Sequence, residues 1–279
     1  MNLEEEIRDG YTVSADMKKL WSVQMEILDQ IDRICKKHNI TYYADGGTLL
    51  GAVRHKGFIP WDDDLDVQMY RDDLEKFCKV AKDELKPPFF LQTWETEEGF
   101  YPWLFKVRKS DTACFTEWEI ENNPGGNRGI FVDIFPIDNT THNHWMQRWQ
   151  YACAKYRVCY GHLQRKYKTA SWQKKVLIAM AWPMKIGCVR RFVIRQSERY
   201  NDRETELVGA FYGTSRLSHC VYRRTTFGTP CRLPFENTTL PVASDYDDYL
   251  TVTFGDYMTP PPVEQQVCQH NTSIDFGPY

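Results

Sequence analysis

Between residues 14 and 39 the apolar positions fall three and four apart. Met17, Leu20, Trp21, Met25, Leu28, Ile31 and Ile34 form one stripe of helical period, with Gln24 as its polar interruption. Ser14 predicts the N-cap and His38-Asn39 the end. The stripe predicts core packing against a sheet. Residues 40–44 (ITYYA) are branched and aromatic and predict a short strand. Asp45-Gly46-Gly47 breaks it, and residues 48–55 predict a short helix ending at Gly57. Phe58 to Trp61 is extended, because a proline disfavours helix in the residue before it. From Asp64 to Met69 the period becomes two, which predicts a strand with Asp64 and Asp66 on one face and Leu65 and Val67 on the other.

The later pattern is coarser. A helix is predicted from Arg71 to Leu85, stopped by Pro87-Pro88. Strands are predicted at 89–94, 103–109, 112–118 and 129–135, with a loop at 122–127 and a helix at 245–254. The fold class is α+β, a mixed sheet flanked by helices.

Two features within 45–66 point to chemistry. Glycines allow close approach of backbone to a phosphate, and a helix N-terminus favours negative charge. About sixteen residues later come the acids Asp62, Asp63, Asp64 and Asp66. Alternation sets two strand carboxylates about 7 Å apart, enough to hold a hard cation. Taken singly, a Gly-Gly is more often a turn and an acid run a solvated loop. In combination, with Leu65 and Val67 implying partial burial, the carboxylates need a cation or a partner.

These residues resemble the LicD/fukutin family of the nucleotidyltransferase superfamily. The matching string runs from Gly46 to His55 and from Gly57 to Asp64. Arg128 to Asp138 (RGIFVDIFPID) and the stretch Tyr249-Leu250, Phe254 to Met258 and Pro260-Pro261 follow in order. The resemblance implies a polymerase-β-like mixed sheet and a transferase that moves a phospho-alcohol, most often phosphocholine, from a CDP-activated donor to a glycan hydroxyl. It implies Mg²⁺ or Mn²⁺ on Asp64, Asp66 and Asp133, the last in an apolar run that reads as a buried strand. An acid there also suits a salt-bridged core residue. His270 falls where the family often carries a histidine.

On this reading Gly46, Gly47 and Thr48 present N–H groups, and Thr48 its hydroxyl, to the donor phosphates. Arg54 and Lys56 are further phosphate contacts, or else solvated surface charges. Asp62, Asp63 and the metal-bound acids are candidates for the base. Choline would need aromatic rings around its ammonium, and Trp61, Trp94, Trp103 and Trp118 are near in sequence. Two alternatives stay open: transfer of NMP from an NTP, and a non-catalytic scaffold that binds glycan.

Composition sets the limits. The 279 residues suffice for a sizeable core. Nine scattered cysteines without a Cys-x-x-Cys pair suit reduced thiols better than zinc. The net charge of −3 conceals an asymmetry, for Lys155 to Arg199 holds twelve Lys and Arg against the single acid Glu198. Inside that segment runs VLIAMAWPM, residues 176–184, too short to span a bilayer. It reads as a core helix with a solvated basic face, as a contact with an anionic membrane surface, or, with its aromatics, as a nucleic-acid surface. The absence of a nucleic-acid module disfavours the last. Three parts are expected: a catalytic core at 1–140, a basic helical segment at 141–205, and a C-terminal part at 206–279 that completes the catalytic domain. With no leader pattern, the expected location is cytoplasmic, peripheral at the inner face of the membrane, and a lipid-linked glycan is then a natural acceptor.

Overall fold

The structure is a computed structural model and describes residues 2–98, 100, 103–115, 126–164, 171–212, 216–268 and 273–278. In chain order the elements are β1 (Glu6–Arg8), β2 (Tyr11–Val13), α1 (Ala15–His38), β3 (Tyr43–Ala44), α2 (Gly46–Arg54), β4 (Asp66–Tyr70), α3 (Arg71–Glu84), β5 (Phe89–Gln92), β6 (Phe105–Lys109), β7 (Ala113–Phe115) and β8 (Ile130–Thr140). There follow α4 (His144–Gln164), α5 (Trp172–Met180), α6 (Gly187–Ser197), β9 (Leu207–Gly209), β10 (Val221–Arg223), α7 (Arg224–Phe227), β11 (Cys231–Phe235), β12 (Thr238–Val242), α8 (Tyr246–Phe254) and β13 (Ser273–Asp275).

The long strand β8 organises a mixed sheet. It runs parallel to β4, with Asp66 beside Asp133 in register. Its first half pairs antiparallel with β6, which places Lys106 beside Asp133, and its last residues pair with β9. Thus β6, β8 and β4 carry Lys106, Asp133 and Asp66 in one row across the sheet. The parallel pair is buried, as parallel strands generally are: Val67, Met69, Val132 and Ile134 are fully enclosed.

Helix α1 forms as its period requires. Ser14 accepts from the Met17 N–H, Asn39 closes the helix with a positive φ, and Leu20, Trp21, Ile27, Leu28, Ile31 and Ile34 are buried. The main core joins this stripe to the sheet and to Phe227, Phe235, Leu240, Val242, Tyr249 and Leu250 from the C-terminal part. Helix α3 is tied to β8 by a buried fork in which Arg71 donates to both oxygens of Asp138 at 2.8 and 2.9 Å.

Several boundaries shift. The strand expected from Asp64 starts at Asp66, so Asp64 lies in the irregular segment before it. The strand expected at 40–44 shrinks to Tyr43–Ala44, and those at 89–94 and 103–109 shorten to β5 and β6. The glycine pair, expected to precede a helix, forms the first turn of α2 itself. Residues 116–118 of the strand expected at 112–118, residues 122–125 of the predicted loop, and His270 lie outside the described residues.

Candidate functional site

A cleft of about 500 Å³ opens over the row formed by β6, β8 and β4. Among the described residues five carboxylates line it, from Asp45, Asp63, Asp64, Asp66 and Asp133. Facing them are Lys106 and His219, and an aromatic wall of Phe131, Phe135, Tyr212, Tyr222, Tyr249 and Phe254.

Backbone and side-chain bonds hold the acids in place. From α1, Trp21 Nε1 donates to the Asp62 carbonyl and Gln24 Nε2 to the Asp63 carbonyl, each at 2.9 Å. These two bonds pin the acidic segment to the helix. The Asp66 N–H donates to Thr48 Oγ1 at 2.8 Å, and the Asp66 carbonyl accepts from the Asp45 N–H at 3.0 Å. The Leu65 carbonyl accepts from the Asp133 N–H at 3.2 Å. Asp45 caps α2 by accepting from the Gly46 N–H at 2.8 Å, and the Tyr249 hydroxyl donates to the same carboxylate. Lys106 Nζ stands 2.6 Å from Asp133 Oδ1 and 3.3 Å from the centre of the Phe131 ring.

The electrostatics follow from burial. Burial raises the Asp66 carboxyl well above the usual carboxylate range, and the charges of Asp64, Asp133, Asp45 and Asp62 push it further. Asp45 is also raised by burial, against the bonds from Tyr249 and Gly46. Burial lowers Lys106, although Asp133 beside it opposes that shift.

Asp64, Asp66 and Asp133 therefore meet in one cleft, with Asp63 on its wall and Asp62 close enough to act on Asp66. Among the described residues no three His, Cys, Asp or Glu side chains are arranged to hold a metal by themselves. The donor set nevertheless fits magnesium, which takes one or two carboxylates and completes its shell with water and substrate phosphates. Asp66 and Asp133, adjacent on paired strands, are such a pair.

The glycines differ in their surroundings. Gly46 lines the cleft at φ +45°, but a Cβ on Gly47 would meet Asp62 Oδ2 at 2.6 Å. Gly51 lets α2 touch the following loop, since a Cβ there would lie 2.4 Å from the Gly57 carbonyl oxygen. The Thr48 hydroxyl is committed to β4 and buried. Arg54 donates to the Tyr257 carbonyl at 3.0 Å and to the His55 ring, while the Lys56 carbonyl accepts from the Glu236 N–H; neither residue lines the cleft. Nor do three of the tryptophans considered for a cage, Trp61, Trp94 and Trp103. Trp61 packs edge-on against Tyr11 and His55, Trp94 is exposed, Trp103 stacks on Tyr212, and Trp118 lies outside the described residues.

Sequence reasoning missed Asp45, Lys106 and Tyr249. An acid immediately before a Gly-Gly helix start is an N-cap signal. A lysine between Phe105 and Val107 is a charge in a buried strand, which needs a partner. Tyr249 carried no signal beyond its place in the third motif.

The family described as LicD/FKTN/FKRP, nucleotidyltransferase domain, matches residues 39–169. The chain is similar to the lipopolysaccharide cholinephosphotransferase LicD of Haemophilus influenzae, 28% identical over 264 residues that cover 89% of this chain and 93% of that protein. It is 40% identical over 73 residues to the uncharacterized protein RP689 of Rickettsia prowazekii, 26% of each chain. Over 35 residues, 12% of this chain and 7% of the relative, it is 49% identical to the human ribitol 5-phosphate transferase FKRP. The matched stretch encloses the cleft carboxylates Asp45, Asp63, Asp64, Asp66 and Asp133 and Lys106, so the cleft lies in the part of the chain that matches the LicD/fukutin nucleotidyltransferase domain.

Proposed function

We propose that the chain is a phosphotransferase that moves phosphocholine from a CDP-activated donor to a glycan hydroxyl and releases CMP, with magnesium as cofactor. The observation that carries this reading is the charge of the cleft: five carboxylates against Lys106 and one histidine. A diphosphate donor entering such a cleft meets repulsion unless divalent cations come with it. Asp66 and Asp133 would hold magnesium, and the chemistry it would supply is neutralisation of charge developing on the leaving group.

The chain's own residues do the rest. Asp66 and Asp133 set the position of the diphosphate along the row. Lys106, beside Asp133, is the cationic side chain within reach of a phosphate oxygen that replaces its present contact. The acceptor hydroxyl attacks the phosphorus that bears the alcohol. The bond from that phosphorus to the bridging oxygen breaks, CMP departs with the bridging oxygen, and a cleft carboxylate takes the hydroxyl proton.

Choline is favoured over ribitol on two grounds. The relative matched along nearly its whole length is named for cholinephosphate, whereas FKRP matches over one short motif. The aromatic wall beside the acids also suits a quaternary ammonium, which is drawn to ring faces. Calorimetry with CDP-choline, CDP-ribitol and CTP, with and without magnesium, tests the reading. Magnesium-dependent binding of CDP-choline ahead of the other two supports it. Tighter binding of CTP, with release of pyrophosphate on turnover, would instead establish NMP transfer.

A further inference from the structure

We propose that α5 and the turn after it form an in-plane anchor that seats the protein on an anionic phospholipid surface. Helix α5 buries none of its residues, although Trp172, Val176, Leu177 and Met180 are among its nine. The exposure continues through Trp182 and Ile186 to Phe192 on α6. Trp172, Met180 and Trp182 are 69%, 61% and 57% exposed, while Ala181 and Met184 between them are buried and fix the turn to α4 and α6. Among the described residues no helix is long and apolar enough to cross a membrane. An apolar helix of this length, all on the surface, suits the boundary between headgroups and acyl chains.

Charge selects the occupant. Lys174, Lys175, Lys185, Arg191, Arg195 and Arg199 are exposed around this apolar surface. Glu198 is the one acid from Trp172 to Arg199, and it already accepts from Arg157 at 2.6 Å. A second copy docked on the same face would set cations against cations. An anionic bilayer meets both needs, since tryptophan settles at the headgroup level and each nearby cation adds to the attraction. The anchor is also rigidly related to the cleft, for Arg157 of α4 donates to the hydroxyl of Tyr212, a cleft-lining residue, at 2.7 Å. Arg190 is excluded from the anchor, because it turns inward to the Tyr160 hydroxyl.

Flotation with phosphatidylcholine vesicles, with and without phosphatidylglycerol, tests the inference without any need for turnover, so it stands or falls apart from the transfer reaction. Wild-type protein should float with the anionic vesicles at low salt and be released at high salt. Two variants should stay folded by circular dichroism, because every changed side chain is exposed. The variant Val176→Glu with Leu177→Glu and Met180→Glu should lose flotation. The variant Lys174→Gln with Lys175→Gln, Lys185→Gln and Arg191→Gln should bind about a hundredfold or more weaker, at roughly fivefold per cation. Wild type that ignores anionic vesicles at low salt, or an apolar-face variant that floats like wild type, overturns the proposal. So does self-association or RNA binding that the same variants abolish in the absence of any vesicle binding.

Discussion

Replacing Asp66 with Asn should make the metal-free protein more stable while abolishing its response to magnesium. Asn keeps the shape, and the two backbone bonds of residue 66, to Thr48 and Asp45, are untouched. What disappears is a charge beside Asp133 on the neighbouring parallel strand. At a strand spacing of about 4.8 Å and an effective dielectric of about 20, two such charges repel by roughly 3.5 kcal/mol. Lys106, 2.6 Å from Asp133, offsets part of this. A net gain of about 1–2 kcal/mol remains, or roughly 2–8 °C in melting temperature for a chain of this size. The pH dependence has a definite sign. Because the folded-state value of Asp66 is raised, its contribution to stability is complete below about pH 4 and is lost as pH rises through that raised value. The advantage of Asp66→Asn should therefore grow from acid toward neutral pH. Magnesium at a hundredfold excess over its dissociation constant should return about 2.7 kcal/mol to wild type and little to the variant. Scanning calorimetry in chelator and in magnesium, at mildly acid and neutral pH, reads all of this. A variant that melts below wild type in chelator, or that gains as much from magnesium, would refute the reasoning.

Lys106→Met should cost about 3–5 kcal/mol, because it strands Asp133 without its cation, and magnesium should restore more stability to it than to wild type; denaturant titration with and without the metal checks both. Gly51→Ala gains helix propensity yet drives a Cβ to 2.4 Å from a backbone oxygen, so a net loss of about 1–3 kcal/mol is expected by chemical denaturation, with weakened magnesium response as α2 shifts. Asp138→Asn leaves buried Arg71 with Glu198, 3.7 Å away, as its remaining counter-charge and should cost about 3 kcal/mol. Asp138 does not line the cleft, so the melting temperature of that variant should still rise with magnesium as it does in wild type.

The elements that could be read from sequence are those whose periodicity is long. Helix α1 repeats its apolar spacing across twenty-four residues, and both of its ends carry cap residues. The short strands around the cleft were placed to within a few residues at best, since β3 has two residues and β4 five. Alternation suggested a strand already at Asp64, where the chain is still irregular. A run in which every second residue is acidic mimics strand period whether or not a ladder has begun. The surface of α5 was hidden for a related reason. An apolar run of nine residues reads equally as core or as boundary, and only the fold shows that Val176, Leu177, Met180 and Trp182 are exposed while Ala181 and Met184 are buried.

At the site, the acids were legible because they fall in one short segment, and the structure brings them into one cleft with Gly46 on its wall, whereas the crowding around Gly47 was not legible. Glycine beside a helix start suggests a phosphate cradle, yet in this chain Asp62 occupies the space next to Gly47 and the Asp45 carboxylate already caps the helix. A helix N-terminus closed by two carboxylates repels a bare phosphate. On the proposed reading it attracts a phosphate that arrives with its cations, and Gly47 matters because it lets Asp62 approach the helix start. Lys106 belongs to the same logic. It lies forty residues beyond Asp66 in sequence, on a strand paired to β8, and only the sheet register brings it to Asp133. Among the described residues the cleft sets Lys106 and His219 against its acids, with Lys106 beside Asp133 and too little positive charge to neutralise the set. The charge left over is negative, so on the proposed reading a divalent cation offsets it and an anionic diphosphate enters only with that cation.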